Sequence, residues 1–129
     1  MKLLIAFGTD DGERFNNDHF GMAKYYDIYE FNDQITNFVE RRKNVKFKGD
    51  ESKKHGDPQK AKATSSVLEG VDVLAARKFG PNLPRILKKF VCVVVRRNLI
   101  SEAIDLIIKN TERIAEEKRK NDRKHIVLR

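Results

Sequence analysis

A single cysteine and the absence of tryptophan are the clearest shortages in this sequence of 129 residues. One cysteine excludes an intramolecular disulfide, and it excludes a metal or iron–sulfur site built from several thiolates of this chain alone. Cys92 lies in the apolar run at 90–95. We expect a buried, inert thiol there, because free cysteine often packs as a small hydrophobic residue.

Long apolar runs are also missing. No stretch approaches the roughly 18 apolar residues of a membrane-spanning helix, and the apolar start at 1–7 is too short for a signal peptide. We therefore expect a cytoplasmic protein without a membrane partner. Hydrophobic residues make up 40% and charged residues 36% of the chain, which is typical of a folded soluble protein. The length predicts one domain over 1–129.

Positive charge is concentrated in two segments of a chain whose net charge is +8. Residues 41–62 hold nine Lys or Arg against three Asp or Glu, and residues 109–129 hold eight against four. Such segments attract polyanions, including nucleic acid, and acidic partners. The alternative is a heavily charged surface of the kind found in thermophilic proteins. We expect 109–129 to form a basic helical extension.

Apolar patterning and turn residues predict an alternation of strands and helices. We expect five strands, at 2–7, 25–31, 35–43, 71–76 and 91–95. Three helices are predicted, at 58–69, at 82–90 and from Ser101 toward Lys118. The last five residues, HIVLR, are predicted either to add a short docking strand or to be disordered.

This order indicates an α/β fold with a mixed sheet. A hairpin followed by right-handed crossovers favours the strand order 3-2-1-4-5, with strand 2 antiparallel and helices on the sheet. The direction of travel reverses between strands 1 and 4, and ligands of open α/β sheets bind at such a point. We expect the loops at 8–21, 77–82 and 96–98 to meet there.

His19 is the candidate metal ligand in the first of these loops, because a neutral imidazole nitrogen binds metals. Glycines in this loop would let a ligand approach closely, and residues 80–82 precede a predicted helix whose free N–H groups would favour an anion. The alternatives are turn glycines, solvated arginines, and a histidine that only hydrogen-bonds the backbone.

Enzymatic function has weak support. Two-metal nuclease chemistry needs several carboxylates that meet across strands, and Asp10 and Asp11 follow strand 1. The end of predicted strand 4, at 74–77, holds no carboxylate. Motifs of nucleophilic hydrolases and Walker loops are missing. An acid–base role for Asp10, Asp11 and His19 is a third hypothesis, and we expect no catalytic residues.

Several stretches of the sequence resemble the dinitrogenase iron-molybdenum cofactor biosynthesis family. The opening MKLLIAFGTDDG, followed by HFGMAKYYDIYEF, is similar to that family's first strand, acidic loop, His-Phe-Gly-x-Ala motif and aromatic strand. LEGVDVLAARKFGPNLPRIL looks like its second strand–loop–helix unit, and ISEAIDLI like its closing helix. The resemblance covers about residues 1–108.

This resemblance implies a three-layer ribonuclease H-like fold without nuclease activity. It implies a carrier related to nitrogen fixation that binds an iron–sulfur or iron–molybdenum cluster, or a related small anion, and exchanges it with donor or acceptor proteins. His19 matches the family's cluster-binding histidine. The expected binding residues are Thr9, Asp10, Asp11, His19, Phe20, Gly21, Phe79, Gly80, Pro81 and Asn82. The alternative function is nucleic-acid binding through 41–62 and 109–129.

Overall fold

The computed structural model describes residues 2–45 and 57–129. Within these ranges the strands form one six-stranded sheet with the order β3-β2-β1-β4-β5-β6. The strands are β1 (Lys2–Thr9), β2 (Tyr25–Asn32), β3 (Ile35–Lys43), β4 (Val73–Ala76), β5 (Val91–Val95) and β6 (Ile126–Leu128). The helices are α1 (Pro58–Val67), α2 (Leu83–Ile86), α3 (Ile100–Ile108) and α4 (Thr111–Lys118), with a 3₁₀ turn at Phe20–Met22. None of the helices described is long and apolar enough to cross a membrane.

Strand directions confirm the predicted arrangement of the first five strands. β2 pairs antiparallel with both β1 and β3, while β1, β4, β5 and β6 are mutually parallel. The hairpin turns at Asp33, whose φ is 57°, a conformation that aspartate tolerates better than most residues. The parallel strands therefore present their carboxyl ends at one edge of the sheet.

The sheet has six strands rather than the five predicted. β6 lies parallel to β5, with Val93 opposite Ile126 and Val95 opposite Leu128. All five residues of β5 are buried, so its outer edge needs a partner for its backbone groups. Of the two alternatives predicted for residues 125–129, the structure shows the docking strand.

Four helices replace the three that were predicted. The helix predicted from Ser101 onward ends at Ile108 and restarts at Thr111. At the break, the Asn110 side-chain amide donates to the Leu106 carbonyl at 2.7 Å, a local hydrogen bond that competes with a continuous helix. α2 is also shorter than predicted. The start of α1 is confirmed, since Asp57 accepts from the Gln59 N–H at 3.0 Å.

Two hydrophobic clusters lie on opposite faces of the sheet. α3 and α4 pack through Ile107 and Ile114 on the face that carries Ile5 and Phe7. The other cluster combines Leu68, directly after α1, and Ile86 of α2 with Ala6, Leu74 and Cys92. Helices thus cover both faces. The prediction that Cys92 is buried is confirmed, and this burial raises the pKa of its thiol to about 12.

The basic C-terminal segment is anchored to the folded body. The Arg123 guanidinium donates to the carbonyl oxygens of Leu87 and Lys88 at 3.2 and 3.1 Å. Glu117 accepts from the Lys124 N–H at 3.0 Å. Residues 109–129 therefore contain a helix, a carbonyl-binding arginine and a strand. Of the other basic segment, 41–62, residues 46–56 lie outside the described ranges.

Candidate functional site

The three loops predicted to meet do so at the carboxyl edge of the parallel strands. The Phe20 N–H donates to the Lys78 carbonyl at 3.0 Å, which joins the first loop to the loop after β4. The Phe15 N–H donates to the Asn98 carbonyl at 3.0 Å, which joins it to the loop after β5. Backbone hydrogen bonds therefore hold the three loops together at the point where the strand order reverses.

Thr9 and Asp11 shape the first loop. The buried Thr9 hydroxyl accepts from the Gly12 N–H at 2.9 Å and donates to the Arg14 carbonyl. The Asp11 carboxylate accepts from the N–H groups of Glu13 and Arg14 at 2.8 and 2.9 Å. These backbone hydrogen bonds, that of Arg14 first, lower the pKa of Asp11. Both side chains thus serve a tight turn.

Asp10 joins the loop to the start of the hairpin. Its carboxylate accepts from the Lys24 N–H at 2.9 Å. None of Thr9, Asp10 and Asp11 lines the cavity at His19. The structure therefore separates these three predicted binding residues from the other seven.

An ion pair between a buried aspartate and an exposed arginine, next to the first loop, was not predicted from the sequence. Asp27 of β2 is buried, and its two carboxylate oxygens accept from Arg41 Nε at 2.7 Å and Nη2 at 3.1 Å. The Arg41 guanidinium also lies over the Tyr25 ring, 4.5 Å from its centroid. The pair is Asp27 opposite Arg41 in the β2–β3 register, so only a correct hairpin register would have revealed it.

His19 is held by its main chain. Its carbonyl accepts from the Met22 N–H at 2.8 Å and from the Asn16 side-chain amide at 3.0 Å. Its own N–H donates to the Asp18 carboxylate at 2.7 Å. These three contacts fix the backbone and leave the imidazole to other partners.

The His19 imidazole lies on the backbone of Gly80. A methyl carbon added to Gly80 would stand 2.6 Å from Nδ1, closer than any real contact. The Asp18 carboxylate lies 4.0 Å from Nδ1, and the His19 side chain is 35% exposed. Within residues 2–45 and 57–129 neither ring nitrogen has a hydrogen-bond partner. The ring therefore makes no hydrogen bond to the described backbone, contrary to one of the alternatives.

A small cavity lies beside the imidazole. Its volume is about 30 Å³, which is room for about one water molecule. A larger ligand would therefore lie over its mouth and not inside it. The seven predicted residues that line it are His19, Phe20, Gly21, Phe79, Gly80, Pro81 and Asn82.

Aromatic packing supports this cavity from below. The Phe20 ring stacks on Tyr26 at 4.7 Å between centroids and packs at a tilt against Phe79, with 5.4 Å between centroids. Phe20 and Tyr26 are fully buried. Phe20 is therefore a packing residue that fixes the loop immediately after His19.

Four residues that were not predicted complete the described lining of the cavity: Lys60, Ala61 and Thr64 of α1, and Ile86 of α2. Lys60 and Thr64 are four positions apart, so they share one helix face. Desolvation lowers the pKa of Lys60. The spacing was visible in the sequence, but nothing there placed α1 against the His19 loop.

The prediction of free N–H groups at the start of α2 is wrong. The Leu83 N–H donates to the Gly80 carbonyl at 3.1 Å, and those of Arg85 and Ile86 donate to the Asn82 carbonyl at 3.0 Å. Pro84 has no N–H. A tight first turn satisfies its own donors, so α2 offers no anion site.

Potential metal ligands do not cluster in the ranges described. No group of three or more His, Cys, Asp or Glu side chains there could hold a metal ion. His19 is therefore a solitary ligand candidate, and a bound metal would need further ligands from elsewhere.

Comparisons with known proteins agree with this architecture. The model of a family described as "Dinitrogenase iron-molybdenum cofactor" matches residues 1–110. A crystal structure of "a putative dinitrogenase" from Methanocaldococcus jannaschii has a TM-score of 0.58 and 18% identity, covering 85% of this chain and 91% of that one. An NMR structure of "a putative dinitrogenase" from Methanococcus jannaschii has a TM-score of 0.57 and 17% identity, covering 86% of this chain and 91% of that one. These identities carry the fold alone. Comparison with curated proteins gives no significant match.

Proposed function

Because the chain belongs to the dinitrogenase iron-molybdenum cofactor family, we propose that it is a non-enzymatic carrier of an iron–molybdenum or iron–sulfur cluster. His19 would bind one metal atom of the cluster, which is the cargo. The observation that carries this proposal is the His19 imidazole: partly exposed, packed on Gly80, and without a hydrogen bond among the described residues.

Metal coordination suits such an imidazole. A neutral ring nitrogen is a common metal ligand, and ligands act best when their orientation is held by surrounding groups. Here the backbone contacts of His19 and its packing on Gly80 limit the movement of the ring. The remaining predicted residues of the cavity except the buried Phe20, together with Lys60, would form the surface against which the cluster lies.

A protein that offers a single metal ligand is better suited to carry a cluster than to store it permanently. The other metal atoms of the cluster would keep their own ligands or take them from a donor or acceptor protein. The cavity of about 30 Å³ is too small to enclose a cluster. The cargo would therefore remain at the surface, accessible to the protein that delivers or receives it.

The acidic residues support a role without catalysis. Asp10 accepts from the Lys24 N–H, and Asp11 accepts from two N–H groups of its own turn. Neither lines the cavity of His19. A general base must reach the proton that it removes, so these carboxylates are poor partners for an acid–base role of His19.

Anaerobic titration with isolated iron–molybdenum cofactor, and separately with a synthetic iron–sulfur cluster, tests the proposal. We expect wild-type protein to co-elute with cluster absorbance in gel filtration and His19→Ala protein to lose it. His125→Ala is the matched control, because His125 is exposed and lies outside the cavity. Equal cluster binding by the His19→Ala and wild-type proteins would overturn the proposal.

A further inference from the structure

A second cavity at the carboxyl edge of the sheet is lined by four arginines. Its volume is about 500 Å³, within the range of about 300–1,000 Å³ for small-molecule sites. Asn98, Leu99 and Glu102 complete the lining. The four arginines are Arg14, Arg77, Arg96 and Arg97.

The fold brings these arginines together from three separate segments. Arg77 directly follows β4, and Arg96 directly follows β5. The two strands are parallel neighbours, with Ala76 opposite Val94, so the residues that leave them emerge side by side. A backbone bridge between Arg14 and Leu99 brings the first loop to the same place. The convergence is therefore a consequence of topology.

Positive charge in this cavity is only partly balanced. Among the described residues, Glu102 is the one carboxylate in the lining, and its Oε2 lies 3.4 Å from Arg97 Nη1. Arg14 attracts the Asp11 carboxylate at longer range. In the part of the chain described, the side chains of Arg77 and Arg96 contact no carboxylate. Like charges held together in this way repel each other, and an anion bound among them would remove that repulsion.

From this cluster we infer that the cavity binds a small, multiply charged oxyanion of the phosphate or pyrophosphate class. Guanidinium groups donate paired hydrogen bonds to such oxygens. Leu99 is the only apolar side chain that the described residues contribute to the lining, so the cavity recognises a charged group and offers little surface for an apolar one. Arg77 lines this cavity and Phe79 lines that of His19, so the two sites share one loop.

Isothermal titration of the full chain with inorganic pyrophosphate and with inorganic phosphate tests the inference. The test variant is Arg77→Gln/Arg96→Gln. The control is Arg113→Gln/Arg119→Gln, which removes the same charge from α4 and the residue after it. We expect the test variant to bind pyrophosphate about ten-fold or more weakly than wild type, because it loses the charge-assisted hydrogen bonds of two guanidinium groups. The control should stay within about two-fold.

Amide chemical shifts of wild-type protein provide a second measurement that does not depend on a variant. Addition of pyrophosphate should move the resonances of Asn98, Leu99 and Arg77, while those of α4 stay in place. Shifts spread over all basic surfaces, or equal weakening in both double variants, would overturn the inference and indicate non-specific attraction. If the affinity for a single-stranded oligonucleotide falls equally in both double variants, that result would also indicate non-specific attraction.

This inference stands apart from the cluster-carrier proposal. His19→Ala should leave pyrophosphate binding unchanged. The Arg77→Gln/Arg96→Gln variant should leave the position of the His19 side chain unchanged. Loss of cluster binding in the first variant with normal pyrophosphate binding would support both sites separately. No pyrophosphate binding by wild-type protein would refute the oxyanion site alone.

Discussion

The imidazole of His19 rests on Gly80 so closely that a methyl group on Gly80 would stand 2.6 Å from Nδ1. The two residues come from different loops, one after β1 and the other after β4. The Phe20–Lys78 backbone hydrogen bond holds these loops together at 3.0 Å. Gly80 therefore provides the space in which the ring of His19 lies.

Gly80→Ala should displace the imidazole and weaken cluster binding. The added carbon forces the ring to move, and a misplacement of about 1 Å is enough to disrupt a preorganised site. Gly21→Ala is the matched control at the same cavity, because its added carbon would meet Thr64 Oγ1 at an ordinary 3.6 Å. Cluster titration of both variants checks this. Weaker binding in Gly21→Ala than in Gly80→Ala would refute the role of Gly80.

Gly12→Ala should destabilise the fold by about 1–3 kcal/mol. Gly12 has a φ of +84°, and an added carbon would lie 2.5 Å from Arg41 Nη2. That contact would strain the turn and disturb the ion pair between Arg41 and Asp27. Urea unfolding is the measurement. A free energy of unfolding equal to wild type would mean that the loop is not packed on the hairpin as described.

The Cys92 thiol should resist modification in the native protein. It is fully buried, and burial raises its pKa from 9.0 to about 12. Since the thiolate is the reactive form, labelling by a thiol reagent at pH 8 should follow unfolding. Above pH 9 the unfolded chain loses this proton while the folded protein keeps it, so this group makes stability fall as pH rises. Rapid labelling without denaturant would contradict the burial.

Leu128→Ala should destabilise the protein by about 2–5 kcal/mol, the usual range for truncation of a buried leucine. Leu128 is 4% exposed and belongs to the cluster beneath α3 and α4. Val127 points the other way and is only partly buried, so Val127→Ala should cost less. Urea unfolding of both variants measures the difference. Equal free energies would show that β6 does not pack with this alternation.

Sequence patterning predicted the arrangement of the first five strands because turn residues and apolar runs mark the hairpin and crossovers. The meeting of the loops at 8–21, 77–82 and 96–98 followed from that topology. The split of the last helix at Asn110 depended on one side-chain hydrogen bond to Leu106. Local competition of this kind leaves little trace in a hydrophobic pattern.

The candidate site was predicted less completely than the fold. His19 and Gly80 were both identified from the sequence. Their direct contact was not, because it arises only where the two loops approach each other in the folded protein. The grouping of Thr9, Asp10 and Asp11 with His19 followed from the family resemblance of the first loop. Their hydrogen bonds instead stabilise a turn and the hairpin start. Side chains that shape a loop and side chains that face a ligand have the same polar composition.

Pulsed electron paramagnetic resonance of the reduced, cluster-loaded protein, prepared with isotope-labelled histidine, tests the central claim most directly. Coordination by His19 predicts a hyperfine coupling from one histidine nitrogen in wild-type protein, and the same coupling in His125→Ala protein. A cluster that binds with no histidine coupling, or a coupling that persists in His19→Ala protein, would contradict the account.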